Sequence, residues 1–188
     1  MKGCRSLTDK EIENVFNELK TLRDKALFVL GVKSGLRISE LLSLNIKDVV
    51  EYGVVGSQVT VAKRNTKGKA ESKTLPLTVS AKEALQKYLD SIGTLDLNEP
   101  LFKSTKANKR IGRMQAHRIL KDAFTALELK GNCSSHSLRK SYAHRVHKAL
   151  GNDILKTQVA LSHKSLSSTA QYLQVDRAEV EDAIRGLG

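Results

Sequence analysis

Cysteine and proline are scarce, with two of each in 188 residues. Cys4 and Cys133 lack any C-x-x-C spacing, which excludes a disulfide scaffold and points to reduced thiols, so the Asn132-Cys133-Ser134 sequon carries no meaning here. Pro76 and Pro100 stand apart, and no repeat, low-complexity tract or linker composition divides the chain, so one domain over 1–188 is expected. Long apolar runs are missing too. The longest, 26–32, is far too short to span a bilayer, and no signal-peptide pattern opens the chain, which together predict a cytoplasmic, nucleoid-associated protein with no membrane partner. No G-x-x-x-x-G-K-[ST] phosphate loop occurs, so nothing points to nucleotide hydrolysis. Acidic residues are in deficit: 20 Asp and Glu face 32 Lys and Arg, a net charge of +12, which makes a polyanion, nucleic acid first, the natural partner.

The pattern of what is present is mainly helical. Thr8-x-x-Glu11 is a capping-box signature followed by Ile12, Val15, Phe16 and Leu19 at helical spacing. A nearly apolar run from 23 to about 33 predicts a buried helix, with Gly35 as its terminator and a short helical turn at 39–44 after it. Between 49 and 77 the period changes to a β-type alternation broken by Gly53, Gly56 and Gly68, read as a small antiparallel three-stranded sheet. Ser80-x-x-Glu83 predicts the start of another helix, and helices follow at about 112–129, 137–150, 153–161 and 167–174, with a last amphipathic piece carrying Val180 and Ile184. Mostly helix with one small sheet is an α+β arrangement.

Four short pieces hold the chemistry: Gly35-Leu36-Arg37-Ile38-Ser39-Glu40, His136-Ser137-Leu138-Arg139, Leu161-Ser162-His163 and Tyr172. Attack on a phosphodiester builds negative charge on the non-bridging oxygens, which fixed guanidinium and imidazole donors stabilise, and a tyrosine can hold the phosphate covalently. Arginine suits a phosphate clamp because it offers a planar fork of donors that lysine cannot reproduce. Glu40, three residues after Arg37, can face back and hold its guanidinium, although a solvated helix-face carboxylate fits the sequence equally well. His117, His144 and His147 have no such context, and no acidic or cysteine cluster with metal-ligand spacing joins them, so no metal or other cofactor is expected. Among the other tyrosines, Tyr142 is the rival nucleophile, read as core packing, while Tyr52 and Tyr88 have no charged motif near them.

On these pieces the chain resembles the catalytic domain of tyrosine recombinases, the phage-integrase family of site-specific DNA recombinases, from about Leu7 to Tyr172. The family pattern is an arginine in G-L-R-x-x-E-L, a lysine in a β-hairpin, an H-x-L-R pair, an L-G-H-like histidine and a tyrosine nine residues later, the interval that separates His163 from Tyr172. Ser162 stands where the family often has glycine. The resemblance implies that Arg37 and Arg139 clamp the scissile phosphate, that His136 positions or deprotonates the tyrosine, that His163 donates to a non-bridging oxygen, and that Tyr172 is the nucleophile. The hairpin lysine, which would protonate the leaving 5′ oxygen, fits Lys67 best, with Lys69 second and Lys63 third. Lys103, Lys106, Lys109, Arg110, Arg113, Arg145 and Lys148 are read as contacts to the DNA backbone.

The resemblance further implies double-stranded DNA as the substrate, with no small-molecule substrate. It implies four protomers on two sites, weak self-association without DNA, and a tail at 175–188 docking on a neighbouring protomer or folding back on its own domain. The N-terminal helical core-binding domain usual in the family is expected to be absent, only a few residues preceding the first helix. That fits an excised catalytic domain or a short stand-alone member. A type IB topoisomerase-like relaxation activity, or an inactive DNA-binding module, are the competing functions.

Overall fold

Thr8 opens the first helix as the sequence predicts. In the computed structural model, which describes residues 3–66, 71–93, 96–104, 109–162, 165–173 and 184–185, Glu11 Oε2 accepts the Thr8 N–H at 2.8 Å while Thr8 Oγ1 accepts the Glu11 N–H at 3.2 Å. Arg5 adds a two-pronged contact to the same carboxylate at 2.8 and 2.6 Å, and that contact, ahead of the cost of burial, draws the Glu11 carboxyl down to about 2.

The chain divides into two compact units, Met1–Ser141 and Tyr142–Gly188. The first holds helices α1 (Asp9–Glu18), α2 (Leu22–Ser34), α3 (Ile38–Ser43), α4 (Val79–Ile92) and α5 (Arg113–Ala126), and strands β1 (Val50–Glu51), β2 (Val54–Val55), β3 (Gln58–Val61) and β4 (Lys73–Pro76). Helix α6 (Ser135–Ala149) contributes residues to both units, and the second continues with α7 (Ile154–Leu161) and α8 (Leu166–Leu173). The α+β class read from the sequence therefore holds.

The sheet differs from the sequence reading. Instead of one three-stranded sheet, β1 pairs with β2 and β3 with β4, as two separate antiparallel pairs among the described residues. The reason is local. Tyr52 and Gly53 both take positive φ, 52° and 85°, which makes a two-residue turn of the kind that folds a strand straight back on its neighbour. Val50 and Glu51 are thereby drawn into pairing with Val55 and Val54. Helix α4 also starts earlier than the Ser80 signature suggests: Thr78 is its cap, accepting from the Ala81 N–H at 3.4 Å. The final amphipathic piece lies outside the described residues apart from 184–185.

Two apolar clusters make up the core of the first unit. One joins α2 and α3 to the strands through Leu27, Leu30, Leu36, Leu41, Val59 and Val61, and the other packs α1 and α5 against Phe28 and Leu138. Over 26–32 helix α2 is apolar all round because this stretch belongs to both clusters, which is why its middle lacks a polar face. Gly31 on α2 is the point of closest approach. A Cβ there would lie 2.8 Å from Leu138 Cδ1 and 3.3 Å from Leu41 Cδ1, so the missing side chain lets α3 and the start of α6 close on α2. In the second unit Ala143, Leu161 and Leu173 form a small core, with Tyr142 and Tyr172 packed against it.

Candidate active site

Arg37 is placed by the way α2 stops and α3 starts. Gly35 ends α2 in the left-handed region at φ 62°, where other residues pay a steric penalty, and fully buried Leu36 pins the turn. Arg37 is then the N-cap of α3. Glu40 reaches back to it twice: Oε2 accepts the Arg37 backbone N–H at 2.7 Å, and Oε1 accepts from Nη1 at 3.0 Å. The Glu40 side chain is 2% exposed and that of Arg37 is 26% exposed, so the carboxylate is a buried bracket and the guanidinium keeps an open side. Of the two readings the sequence left for Glu40, the solvated carboxylate is excluded. Replacing it with glutamine removes the ionic half of this bracket, and an expected loss of about 1–2 kcal/mol should be read by urea unfolding.

Arg139 arrives from the other direction. The start of α6 is locked by Ser134 and Ser137, whose groups bond reciprocally: Ser134 N–H donates to Ser137 Oγ at 3.1 Å and Ser137 N–H to the Ser134 carbonyl at 2.8 Å. The N-terminal segment straps this region down, with Arg5 N–H donating to the Asn132 carbonyl at 2.9 Å and Leu7 N–H to Ser141 Oγ at 2.7 Å. One helical turn on, Arg139 is 1% exposed, and its Nη1 donates to the carbonyl of Gly35. Both arginines are thus anchored to one stretch of backbone, 35–37.

His136 lies close enough to feel this cluster. Its imidazole is held below the ordinary range, first by loss of hydration and then by the positive charges of Arg113, Arg139 and Arg37. This lowering favours the neutral imidazole, the form that can accept a proton. Lys73, at the start of β4, belongs to the same electrostatic neighbourhood. Its ammonium is pushed down to about 8, chiefly by burial, then by Arg139, with Glu40 opposing and Arg37 adding to the depression. The sequence shows Lys73 within a run of basic residues but gives it no role. The signal available was the alternation that sets it two residues before buried Leu75.

Several basic residues have structural work. Arg110, expected on the DNA backbone, instead caps the end of α3: it donates to the carbonyl of Leu42, to that of Leu44 at 2.8 Å and to Asn45 Oδ1 at 2.7 Å. Lys103 pairs with Glu99. Arg64 and Arg113 stay exposed, and with Ser39, Ser43, Asn65 and Arg110 they border a cavity of about 290 Å³ beside α3. Lys63 is exposed in the 3₁₀ turn Lys63–Asn65. Lys67, Lys69, Lys106 and His163 lie outside the described residues.

In the second unit Tyr172 is half-buried on α8, against the Leu161 and Leu173 core. Tyr142 packs in the same cluster. Asp153 caps α7 by accepting from the Leu155 and Lys156 N–H groups at 2.9 and 3.0 Å. Ser162 ends that helix at φ 51°, the left-handed conformation that a glycine would take without strain. His147 is held by Thr157, with 2.9 Å between Nδ1 and Oγ1. Among the described residues no group of three or more His, Cys, Asp or Glu is disposed to hold a metal ion, and no helix is long and apolar enough to cross a membrane.

Comparison with known proteins shows the family of the chain. The model of the phage integrase family matches residues 5–179. A probable integrase/recombinase of Bacillus subtilis, YoeC, is 32% identical over 169 residues, covering 90% of this chain and 87% of that protein. The tyrosine recombinase XerC of Pelobacter propionicus is 33% identical over 82% of this chain, but the match takes in 48% of XerC, so the chain spans about half of that relative. Among solved structures, the XerH site-specific recombinase bound to palindromic difH substrate in a post-cleavage complex superposes with a TM-score of 0.74 at 22% identity, over 96% of this chain and 52% of XerH.

Proposed function

The chain belongs to the phage integrase family, and from that premise we propose that it cuts and rejoins DNA strands as a site-specific recombinase, through a 3′-phosphotyrosyl intermediate. The observation that carries the reading is the pair of arginines fixed on one backbone stretch, Arg37 bracketed by Glu40 and Arg139 bonded to Gly35, with His136 in their field. Two forks of donors held in a set geometry are what a phosphoryl group needs when charge grows on its non-bridging oxygens.

Tyr172 is the nucleophile, His136 receives its proton, and His163 donates to the phosphate. The proton for the leaving 5′ oxygen comes from the β3–β4 hairpin, where the sequence favours Lys67. Both units act together as one catalytic domain. Arg64 and Arg113, beside the cavity next to α3, hold neighbouring phosphates of the duplex. Since the phosphotyrosyl link preserves the energy of the phosphodiester, no nucleotide is consumed. The active species is four protomers on two DNA sites, weakly associated without DNA, in the cytoplasmic nucleoid.

The reading is tested by incubating the protein with nicked duplexes and a partner duplex bearing a free 5′-hydroxyl, then quenching in SDS. Recombination requires a covalent protein–DNA product followed by transfer of the held strand to the partner. Relaxation of supercoiled DNA without transfer would identify a topoisomerase-like enzyme instead. Absence of a covalent product on DNA that binds would leave a binding module.

A further inference from the structure

We propose that Cys4 and Cys133 form a redox site: a low-molecular-weight disulfide oxidant joins their sulfurs, and the new bond staples the N-terminal segment to the loop that leads into α6. Neither residue takes part in the proposed strand cleavage, and the site stands or falls independently of it.

The two cysteines are far apart in sequence and adjacent in the fold. The Arg5 N–H donates to the Asn132 carbonyl at 2.9 Å, so the peptide group that joins Cys4 to Arg5 faces the one that joins Asn132 to Cys133. For a well-aligned bond of that kind, standard backbone dimensions put the Cα atoms of Cys4 and Cys133 within about 6.5 Å, inside the span of about 4.4–6.8 Å that a disulfide bridges. The Arg5 side chain tightens the same contact. Its Nε–H donates to the Lys130 carbonyl at 2.6 Å, while its guanidinium is held by Glu11 at 2.8 and 2.6 Å. A Cβ on Gly131 would come 3.2 Å from Arg5 Nε, so the absence of a side chain there lets the loop close on the segment. Joining the sulfurs therefore asks for little movement of the backbone.

Both thiols are free in the structure and each is partly exposed, so a small oxidant can reach them. Burial holds the Cys133 thiol above its ordinary range, with Arg5 opposing and the charges of Glu11 and Cys4 adding to the rise. That Cys4 figures among those charges agrees with the short separation, and the rise keeps Cys133 in its unreactive thiol form until an oxidant is supplied. In the exchange, one cysteine thiolate attacks a sulfur of the oxidant, forming a mixed disulfide and releasing a thiolate. The other cysteine thiolate then attacks the protein sulfur of that mixed disulfide and releases the second. Two protein thiols are oxidised to one disulfide, the oxidant is reduced to two thiols, and the cysteine protons pass to the released thiolates.

The bond would hold the start of the helix that carries His136 and Arg139. The same N-terminal segment meets α6 at a second point, where the Leu7 N–H donates to Ser141 Oγ at 2.7 Å and that hydroxyl donates to the Ser137 carbonyl at 2.8 Å. A link from Cys4 to Cys133 turns this hydrogen-bonded strap into a covalent one. It also closes a loop of about 130 residues, which removes conformational freedom from the unfolded chain.

The test equilibrates the full chain in buffers of oxidised and reduced glutathione, traps the remaining thiols with a maleimide, and reads intact mass and linked peptides by mass spectrometry. Cys4 and Cys133 are expected to lose their thiols together, with a peptide pair joining the two. The oxidised protein should melt about 5–15 °C above the reduced protein, and amides at 137–141 should exchange at least about tenfold more slowly. Cys4→Ser and Cys133→Ser should each melt alike in both buffers, near the reduced wild type. The comparison of the wild type in its two states needs no substitution, so it decides the matter even where a variant folds poorly. Glutathione taken up without an internal link, disulfide-joined dimers in place of one, or an internal link that leaves melting and exchange unchanged would overturn the proposal.

Discussion

Arg139→Lys is expected to slow strand cleavage by about two to three orders of magnitude, although it preserves the charge. The residue is 1% exposed and bonds the Gly35 carbonyl, so it closes the junction between α2 and α3, and the proposed mechanism asks it to hold the phosphate as well. A planar fork can do both at once, because a donor held by a carbonyl leaves its other N–H groups fixed in direction. A lysine has one nitrogen. If it bonds Gly35 it is misplaced for the phosphate, and if it turns to the phosphate the buried carbonyl goes unsatisfied, at a cost of about 1–3 kcal/mol. The variant should therefore show both a lower urea midpoint and a slower single-turnover rate, with DNA affinity changed far less than the rate. A rate within fivefold of wild type would mean that Arg139 is a structural residue only.

Tyr172→Phe should abolish the covalent product altogether while leaving DNA binding within about twofold, because it removes the phenol oxygen that the proposed mechanism uses as nucleophile. The ring of Tyr172 packs with Leu161 and Leu173, and phenylalanine fills the same space, so the second unit keeps its core. Tyr142 provides an internal control: it packs against the same small cluster and carries the same phenol, yet Tyr142→Phe is expected to retain covalent product. The pair of variants separates loss of a nucleophile from disturbance of a shared core.

How much of this was legible in the sequence depends on how local the signal is. The Thr8 and Glu11 capping box and the glycine that ends α2 are contained within a few residues each, and the structure forms them as written. The α+β class follows from two periodicities that do not overlap along the chain. Strand pairing is less visible, because it turned on Tyr52 accepting a positive φ, which a tyrosine seldom does and which no pattern announces. Arg37, Glu40, His136 and Arg139 were recognisable by context, but only the fold shows that Glu40 is buried and that Gly35 ties the two arginines together. Arg110 shows the opposite failure. A basic residue in a basic stretch reads as a DNA contact, and what redirects it is three acceptors, on Leu42, Leu44 and Asn45, about 65 or more positions away in sequence. Lys73 was hidden for a related reason: in a run of five cations, composition cannot say which one points inward, and the register of β3 against β4 can.

The most direct measurement is the location of the DNA on the protein. A covalent complex trapped on a nicked duplex, digested with nuclease and protease and analysed by mass spectrometry, should yield a single peptide bearing a 3′-linked nucleotide on Tyr172. An adduct on Tyr142, or none at all from DNA shown to bind, would contradict the proposed mechanism at its centre.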